Sequence, residues 1–350
     1  MRNILRHTLM MPLLALLPAL SLASDTLPDR SYQSQQTWQK IQQYLPPGYR
    51  LTASTQPVES RWDWKGHHVH IDRFANPQAV AKIILLHGVG TNGRQMSLIA
   101  GGPLSKLGYE VIAPDMPGYG LTTVAPGVTV RYDDWVALVD DLIKAEMATD
   151  NRPVFLYGLS AGGMLAWHAA ARNGQVKGIV GMTFLDQRRP EVRDETARNL
   201  FMSRVGGPMT HWVANTFIGK MPFPMTLASK MSTLVNNPDA LAVFLDDPTS
   251  AGNKVPLRFL DTYMNYQPVM EPESFTVCPV LLTQPEKDRW TPLALSEPFL
   301  NRLTKVPHEV VMLQNAGHYP LEQPGLDQMV TAIDRFVKGI MARTVSTDTK

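Results

Sequence analysis

The sequence contains a single cysteine among its 350 residues, so no intrachain disulfide can form. Cys278 directly precedes the apolar run Pro279–Leu282, a position that favours a buried strand residue over a reactive thiol. The chain also lacks a charge excess, since 33 basic residues face 31 acidic ones. A basic surface for nucleic acid or anionic lipid is therefore not expected. A hydrophobic fraction of 44% is typical of a globular protein.

The N-terminal segment, residues 1–23, has the pattern of a secretory signal. Arg2 and Arg6 provide a basic start, and a short apolar stretch interrupted by two prolines follows. This stretch is too short for a comfortable membrane span, and Ser21-Leu22-Ala23 offers small residues at a cleavage site. Removal of the two arginines would lower the net charge from +2 to zero. We expect an exported protein, periplasmic or extracellular, without a stable membrane anchor after cleavage. An uncleaved anchor is the alternative.

Short apolar runs alternate with amphipathic segments along most of the chain, which predicts a mostly parallel sheet with helices on both faces. The predicted strands are Val58–Trp64, His67–Phe74, Lys82–Leu86, Tyr109–Ala113, Pro153–Tyr157, Gly178–Leu185, Pro279–Thr283 and Glu309–Leu313. The predicted helices are Ser34–Leu45, Gln95–Leu107, Asp133–Ala148, Ala161–Arg172, Leu293–Leu303 and Leu326–Met341.

Residues 187–275 interrupt this alternation with a segment that is rich in methionine and aromatic residues and has no clear strand. Such a segment is too long for a plain connection and predicts a helical cap over the carboxyl ends of the strands. The predicted organisation is a signal at 1–23, a core formed by 24–186 and 276–343, the cap at 187–275 and a polar, frayed tail at 344–350.

The run from Phe155 to Gly163 predicts a strand, a sharp turn and a helix in that order. The glycines at 158 and 162 flank Ser160 in a Gly-x-Ser-x-Gly pattern, which is typical of a nucleophile elbow. In such a turn the serine has a strained backbone, and the two glycines crowd one another. Its hydroxyl lies near a helix N-terminus, where negative charge on a substrate is stabilised. An ordinary glycine-rich turn is the alternative interpretation.

A serine nucleophile requires a histidine base, and that histidine requires a carboxylate partner. His318 is predicted in the loop between the last strand and the last helix. Asp288 is predicted in the loop after the preceding strand. Glu286 and Asp186 also follow predicted strands, so both are alternative acids.

Four motifs occur in an order that resembles the α/β-hydrolase fold superfamily. They are Leu86-His87-Gly88-Val89-Gly90, Asp115-Met116-Pro117-Gly118-Tyr119-Gly120, the Ser160 elbow, and the acid and histidine after the last two strands. The resemblance covers about residues 83–340. The cap is placed as in the lipase, esterase and monoacylglycerol-hydrolase groups.

This resemblance implies an α/β-hydrolase fold with a catalytic triad of Ser160, Asp288 and His318, and it favours Asp288 over the other acids. It also implies an oxyanion hole formed by the backbone amides of Val89 and Ala161. The expected function is a secreted serine hydrolase that cleaves small to medium acyl or lipid-like carboxylic esters through an acyl-enzyme. No cofactor and no metal are expected, the partner is a small-molecule ester, and the oligomeric state stays open.

Several alternatives remain. Prolyl-type aminopeptidases share the fold, but they resemble His-Gly-Gly-Pro-Gly and Gly-Gly-Ser-Trp-Gly, whereas this chain has His-Gly-Val-Gly and Gly-Leu-Ser-Ala-Gly. Carbon–carbon bond hydrolases and cofactor-free perhydrolases use the same triad. Epoxide hydrolases and haloalkane dehalogenases carry aspartate at the nucleophile, where this chain has Ser160. A non-catalytic binding member of the fold is the alternative of another class.

The remaining histidines are interpreted as structural. His68 and His70 share one face of a strand, and without a third ligand at a suggestive spacing we expect them to be exposed strand residues. His168 is predicted to pack within the helix after the elbow, and the resemblance implies a structural role for His87. Asp115 and Gly118 are expected to shape a turn. The apolar residues of the cap are expected either to hold an acyl or aryl group or to form the core of the cap.

Overall fold

An eight-stranded sheet forms the centre of the described part of the chain, residues 31–348 of a computed structural model. Side chains are described through residue 343. The predicted signal, residues 1–23, lies outside the described residues. Among residues 31–348, no helix combines the length and the hydropathy that a membrane crossing requires.

The sheet has the order β1-β2-β4-β3-β5-β6-β9-β10, and a separate two-stranded sheet pairs β7 with β8. In the large sheet β2 is antiparallel to β1 and β4, and the other neighbours are parallel, which confirms the predicted sheet type. The strands are β1 (Val58–Trp64), β2 (His67–Phe74), β3 (Lys82–Leu86), β4 (Glu110–Pro114), β5 (Val154–Gly158), β6 (Gly178–Gly181), β7 (Pro222–Pro224), β8 (Lys254–Pro256), β9 (Val280–Pro285) and β10 (His308–Leu313).

The helices alternate with the central strands, and α5 packs against β5 and β6 while α12 packs against β9 and β10. The helices are α1 (Gln36–Ile41), α2 (Gly93–Met96), α3 (Gly102–Lys106), α4 (Tyr132–Thr149), α5 (Ala161–Asn173), α6 (Pro190–Thr196), α7 (Gly207–Ala214), α8 (Met225–Ala228), α9 (Pro238–Asp246), α10 (Leu257–Met264), α11 (Glu297–Leu300) and α12 (Gly325–Asp348).

The core strands β3, β4, β5, β6 and β9 are buried along their whole lengths. Parallel strands covered on both faces are expected to be near-continuous apolar runs, which is the pattern that predicted them. Cys278 is buried just before β9, as predicted, and its burial raises the pKa of the thiol.

Several element boundaries differ from the prediction. Residues 187–275 contain β7 and β8, so the prediction that this segment has no strand was wrong. Each of these strands has only three residues and ends at a proline. The predicted helix Leu293–Leu303 is reduced to a 3₁₀ turn and the four residues of α11. The last helix does not end at Met341 but continues to Asp348, through the segment predicted as a frayed tail.

The predicted helix Gln95–Leu107 contains a π turn at Ser97–Gly101. A second π turn, Met202–Gly206, precedes α7. A Gly-Gly-Pro sequence follows or ends each π turn, with the prolines at 103 and 208. Because proline has no N–H and its ring clashes with the carbonyl four residues earlier, the wider turn accommodates it within a continuing helix.

Candidate active site

Ser160 lies between β5 and α5 with φ 55° and ψ −125°, a backbone conformation that residues with side chains rarely adopt. A Cβ atom on Gly158 would lie 2.0 Å from the carbonyl oxygen of Gly162, so the predicted crowding of these two glycines is confirmed for Gly158. A Cβ on Gly162 would instead meet the carbonyl oxygen of Leu86 on β3, at 2.2 Å. The local sequence therefore forms a strained elbow with its serine at the tip.

Gly163 is a third glycine on which the elbow depends, and sequence analysis did not single it out. A Cβ at this position would lie 1.9 Å from the carbonyl oxygen of Thr183. The Thr183 hydroxyl in turn donates a hydrogen bond of 3.1 Å to the carbonyl oxygen of Ser160. The chain that follows β6 therefore supports the elbow from its far side.

Asp288 and His318 lie in the loops after β9 and β10, and the structure brings them together. The Nδ1 of His318 lies 2.9 Å from Oδ2 of Asp288, and both side chains are buried. Two backbone amides, those of Trp290 and Thr291, each donate a 2.8 Å hydrogen bond to Oδ1 of the same carboxylate. Burial alone would raise the pKa of Asp288, but the adjacent His318 and these hydrogen bonds lower it to about 2.

The other ring nitrogen of His318 is buried and has no hydrogen-bond partner within the described residues. Ser160 therefore makes no hydrogen bond to it in this structure. Catalytic hydrogen bonds are often formed only when substrate is bound. The Trp290 ring packs against His318 with a centroid distance of 4.8 Å, and Trp290, Thr291 and Ser160 line the same cavity.

The two alternative acids have other partners. Asp186 forms an ion pair with Arg188 at 2.9 Å. Glu286 is exposed and accepts a hydrogen bond from the amide of Asn315. Of the three acids, only Asp288 has a hydrogen bond to His318 among the described residues.

The loop after β3 lies against the elbow, because a Cβ on Gly88 would come within 3.3 Å of the amide nitrogen of Ala161. Ala161 begins α5, where backbone N–H groups have no partner within the helix. The peptide that carries the Val89 N–H has its carbonyl, that of Gly88, bound at 2.8 Å by Nδ1 of His87. This contact fixes the orientation of the peptide, since the N–H and C=O of a trans peptide point in opposite directions.

His87 and His168 are structural residues, as predicted. His87 is buried, its Nε2 accepts a hydrogen bond from the amide of Met116, and burial lowers its pKa. It therefore joins the loop after β3 to the loop after β4. His168 is buried beside the hydroxyl of Tyr132 at 3.0 Å, and its burial lowers its pKa to about 3. Both imidazoles are neutral at physiological pH, so neither is a charged partner for substrate.

A cavity of about 440 Å³ contains the serine. Its walls are mostly apolar and come from residues 187–275 together with the core; they include Met202, Met209, Phe223, Met225, Leu260 and Met264. Other apolar residues of this segment, such as Phe244 and Phe259, are buried in the core. Residues of the methionine-rich segment thus both line the cavity and contribute to the core.

Large apolar side chains are also exposed on the same segment. The most exposed are Trp212 at 84%, Phe217 at 80% and Phe201 at 66%. Met209 and Ile218 are exposed and also line the cavity, so the cavity lining reaches this apolar surface. An apolar surface beside a pocket is common at sites that bind lipids or proteins.

The prediction that His70 is an exposed strand residue is wrong. His70 is fully buried, and the Tyr32 ring lies 4.9 Å from it edge-on. Its Nε2 lies 2.8 Å from Glu59 and its Nδ1 lies 3.1 Å from Asp115. Burial alone would lower the pKa of His70, but Asp115, Glu59 and Asp72 raise it to about 9. His68, by contrast, is exposed as predicted.

Glu59, His70 and Asp72 place potential metal-ligand atoms within 4.8 Å of one another. The buried guanidinium of Arg94 hydrogen-bonds both oxygens of Asp72, at 2.6 and 2.9 Å, and lies 3.4 Å from Glu59. These carboxylates therefore already have a cationic partner. Asp115 completes the network by accepting hydrogen bonds from the amides of Gly93 and Leu121, so it shapes the predicted turn.

The strand order, the strained serine elbow and the loop-borne carboxylate and histidine define an α/β-hydrolase fold. A model of the alpha/beta hydrolase family matches residues 83–327, and the chain belongs to this family.

Two relatives match shorter segments. Phospholipase YtpA of Bacillus subtilis (strain 168) is 36% identical over 122 residues, which cover 34% of this chain and 42% of YtpA. Protein phosphatase methylesterase 1 of Mus musculus is 28% identical over 104 residues, 30% of this chain and 27% of that protein. The chain matches less than half the length of each relative.

Solved structures resemble the fold over more of the chain. A soluble variant of monoglyceride lipase from Saccharomyces cerevisiae aligns with a TM-score of 0.66 and 17% identity, covering 84% of this chain and 99% of the lipase. Monoacylglycerol lipase of Paleococcus ferrophilus aligns with a TM-score of 0.57 and 18% identity, covering 78% and 99%. At these identities the likeness concerns the fold.

Proposed function

We propose that the protein is a serine hydrolase that cleaves carboxylic esters with an apolar acyl group through an acyl-enzyme on Ser160. The observation that carries this proposal is the position of the strained serine in the wall of an apolar cavity. The same wall includes Trp290 and Thr291, which contact His318 of the buried Asp288–His318 pair. Each part of this arrangement has a role in acyl transfer.

In the first half-reaction, Oγ of Ser160 attacks the ester carbonyl carbon and its proton passes to Nε2 of His318. Asp288 holds Nδ1 of that ring and stabilises the charged imidazolium. The carbonyl oxygen becomes an oxyanion, which the amides of Val89 and Ala161 stabilise; each such donor is worth about 10²–10³ in turnover. The intermediate collapses as the alcohol leaves with the proton from His318, and the acyl group remains on Ser160.

In the second half-reaction, water attacks the acyl-enzyme and gives a proton to His318. The carboxylic acid leaves and the proton returns to Ser160.

The size and lining of the cavity support a lipid-like ester. A volume of about 440 Å³ is within the usual range for small-molecule sites, and apolar walls favour an acyl chain over a polar peptide. The names of the relatives and structural neighbours, phospholipase, methylesterase and monoglyceride lipase, are consistent with ester cleavage. Export remains part of the proposal and rests on the signal-like residues 1–23.

The test is kcat/KM for a series of p-nitrophenyl acyl esters of increasing chain length, with a prolyl anilide in the same panel. We expect ester turnover with an optimum at one chain length and no turnover in Ser160→Ala. Hydrolysis of the anilide alone would replace the proposal with a peptidase. A correctly folded protein that hydrolyses no ester would contradict it.

A further inference from the structure

Arg193 on α6 is the one charged residue among the described side chains that line the cavity. It is half-buried, and within residues 31–343 its guanidinium has no ion pair and no hydrogen bond. The adjacent acids are bound to other cations: Asp194 to Arg204 at 2.7 Å, and Glu195 to Lys230 at 2.6 Å. The cavity wall therefore includes one cationic side chain that has no ion pair within residues 31–343, although Asp194 lies close enough to attract it electrostatically.

The other polar side chains on this side of the cavity already have hydrogen bonds within the protein. The Thr196 hydroxyl donates to the carbonyl of Val192 and accepts from Gln187. The remaining hydroxyls with partners of their own are Ser203, which donates to Asp194, Thr210, which donates to Gly206, and Ser229, which donates to Met225. Arg193 differs from these four residues, because its side chain makes no hydrogen bond within residues 31–343.

A guanidinium that is partly removed from water is stabilised best by an anion that accepts two parallel N–H bonds, as carboxylates and phosphates do. Apolar surroundings strengthen such a bond because the local dielectric is low. A ligand that fills the apolar walls and supplies one negative group would satisfy both features of the cavity.

We propose that Arg193 binds a negatively charged group of the substrate, a phosphate or a carboxylate, so that the preferred ester is an anionic amphiphile. This inference rests on the proposed ester hydrolysis at Ser160 and adds the substrate class. The residue acts in specificity and takes no part in bond cleavage.

The first experiment measures binding without turnover, using the full chain with Ser160→Ala. The probes are decyl phosphate, decanoate and decanol, which share a ten-carbon chain and differ in the head group, and isothermal titration gives each affinity. We expect at least one anion to bind more tightly than decanol. The comparison of the two anions identifies which of them the site prefers.

The deciding variant is Arg193→Gln in the same background. Because charge-assisted hydrogen bonds are lost, the affinity ratio of the preferred anion to decanol falls about tenfold to a hundredfold. Arg193→Lys keeps the positive charge but lacks the planar guanidinium that donates two parallel hydrogen bonds. We expect it to retain part of the preference for the anion over decanol. Arg198→Gln is the matched control, because Arg198 is an exposed arginine of the same segment that does not line the cavity. An unchanged ratio in Arg193→Gln, or an equal fall in Arg198→Gln, would overturn the inference.

The second experiment separates this inference from the proposed function. It compares kcat/KM for decanoylglycerol and decanoylglycerol phosphate in the protein with Ser160 intact. A preference for the phosphate ester that Arg193→Gln removes supports both proposals. If both esters are hydrolysed and Arg193→Gln leaves the ratio of their kcat/KM values unchanged, the anion site is overturned and the hydrolase proposal stands. Anion binding through Arg193 without any ester turnover overturns the hydrolase proposal, and with it the assignment of an ester substrate, while the anion site at Arg193 stands.

Discussion

Thr291 places its hydroxyl 3.0 Å from Nδ1 of His318, the ring nitrogen that also faces Asp288. The same hydroxyl donates a 2.7 Å hydrogen bond to Oδ2 of Asp288. The Thr291 hydroxyl therefore holds Oδ2 of the carboxylate, whereas the backbone amides of Trp290 and Thr291 hold Oδ1. Its role in the proposed reaction is to position the acid and, through it, the histidine.

We expect Thr291→Val to lower kcat about tenfold with a much smaller change in KM, because one hydrogen bond to the charged carboxylate is lost near the reacting histidine. Thr291→Ser restores the hydroxyl and should recover most of kcat. Steady-state kinetics on one p-nitrophenyl ester measure both variants. A change in KM alone would show that Thr291 acts as a cavity wall only.

The choice of acid can be tested by three isosteric substitutions. Asp288→Asn should lower kcat by about 10³–10⁴-fold, because an amide no longer stabilises the required tautomer and the charge of the histidine. Asp186→Asn and Glu286→Gln should leave kcat near its native value, since among the described residues neither side chain has a hydrogen bond to His318. A large loss in either control, with Asp288→Asn active, would transfer the role to that residue.

Two glycine-to-alanine changes in helices should have opposite effects on stability. In Gly163→Ala the new Cβ would lie 1.9 Å from the Thr183 carbonyl, and we expect the free energy of unfolding to fall by about 3 kcal/mol or more. In Gly339→Ala on α12 nothing lies within 4 Å of the new Cβ. The better helix propensity of alanine should raise the free energy of unfolding by about 0.5–1 kcal/mol. Urea unfolding measures both. Equal effects would mean that the contact at Thr183 relaxes without cost.

Because His70 is buried between carboxylates, we expect its contribution to the free energy of unfolding to be lost at alkaline pH. Its pKa in the folded protein is raised to about 9 from an ordinary 6.5, so its stabilising contribution is complete below pH 6.5 and is lost as the pH rises through 9. The excess stability of the native protein over His70→Gln should therefore shrink by on the order of 3 kcal/mol between pH 6 and pH 10. Urea unfolding at several pH values measures this excess.

The control for this experiment lies on the same strand. His68→Gln should change stability little at any pH, because His68 is exposed. A difference between the native protein and His70→Gln that stays constant from pH 6 to pH 10 would show that folding does not raise the pKa of His70.

The parts of the fold that depend on local sequence were predictable. The strands Val58–Trp64, His67–Phe74 and Lys82–Leu86 match their predicted ends, because side-chain periodicity and the Lys65-Gly66 turn are local signals. The elbow at Ser160 is also local, since strand, turn and helix follow one another within nine residues. Its geometry could therefore be inferred without knowing the rest of the chain.

The features that sequence analysis missed depend on distant partners. Gly163 is required because of a carbonyl at Thr183, and the buried His70 lies against the ring of Tyr32, which is distant in the sequence. Arg193 gave no signal, because its place in the cavity wall and the pairing of the neighbouring acids with other cations depend on the folded chain. Periodicity and motif spacing contain no information about such contacts.

The elbow glycines and the cavity walls differ in how much change they can accept. Gly158, Gly162 and Gly163 each face a backbone carbonyl that no side-chain rearrangement can move away. The cavity walls include four flexible methionines, Met202, Met209, Met225 and Met264, on a separate stretch of chain. A mutant library aimed at new substrates should therefore vary residues 187–275 and keep the elbow constant, because the proposed function assigns most of the cavity wall to the first and the nucleophile to the second.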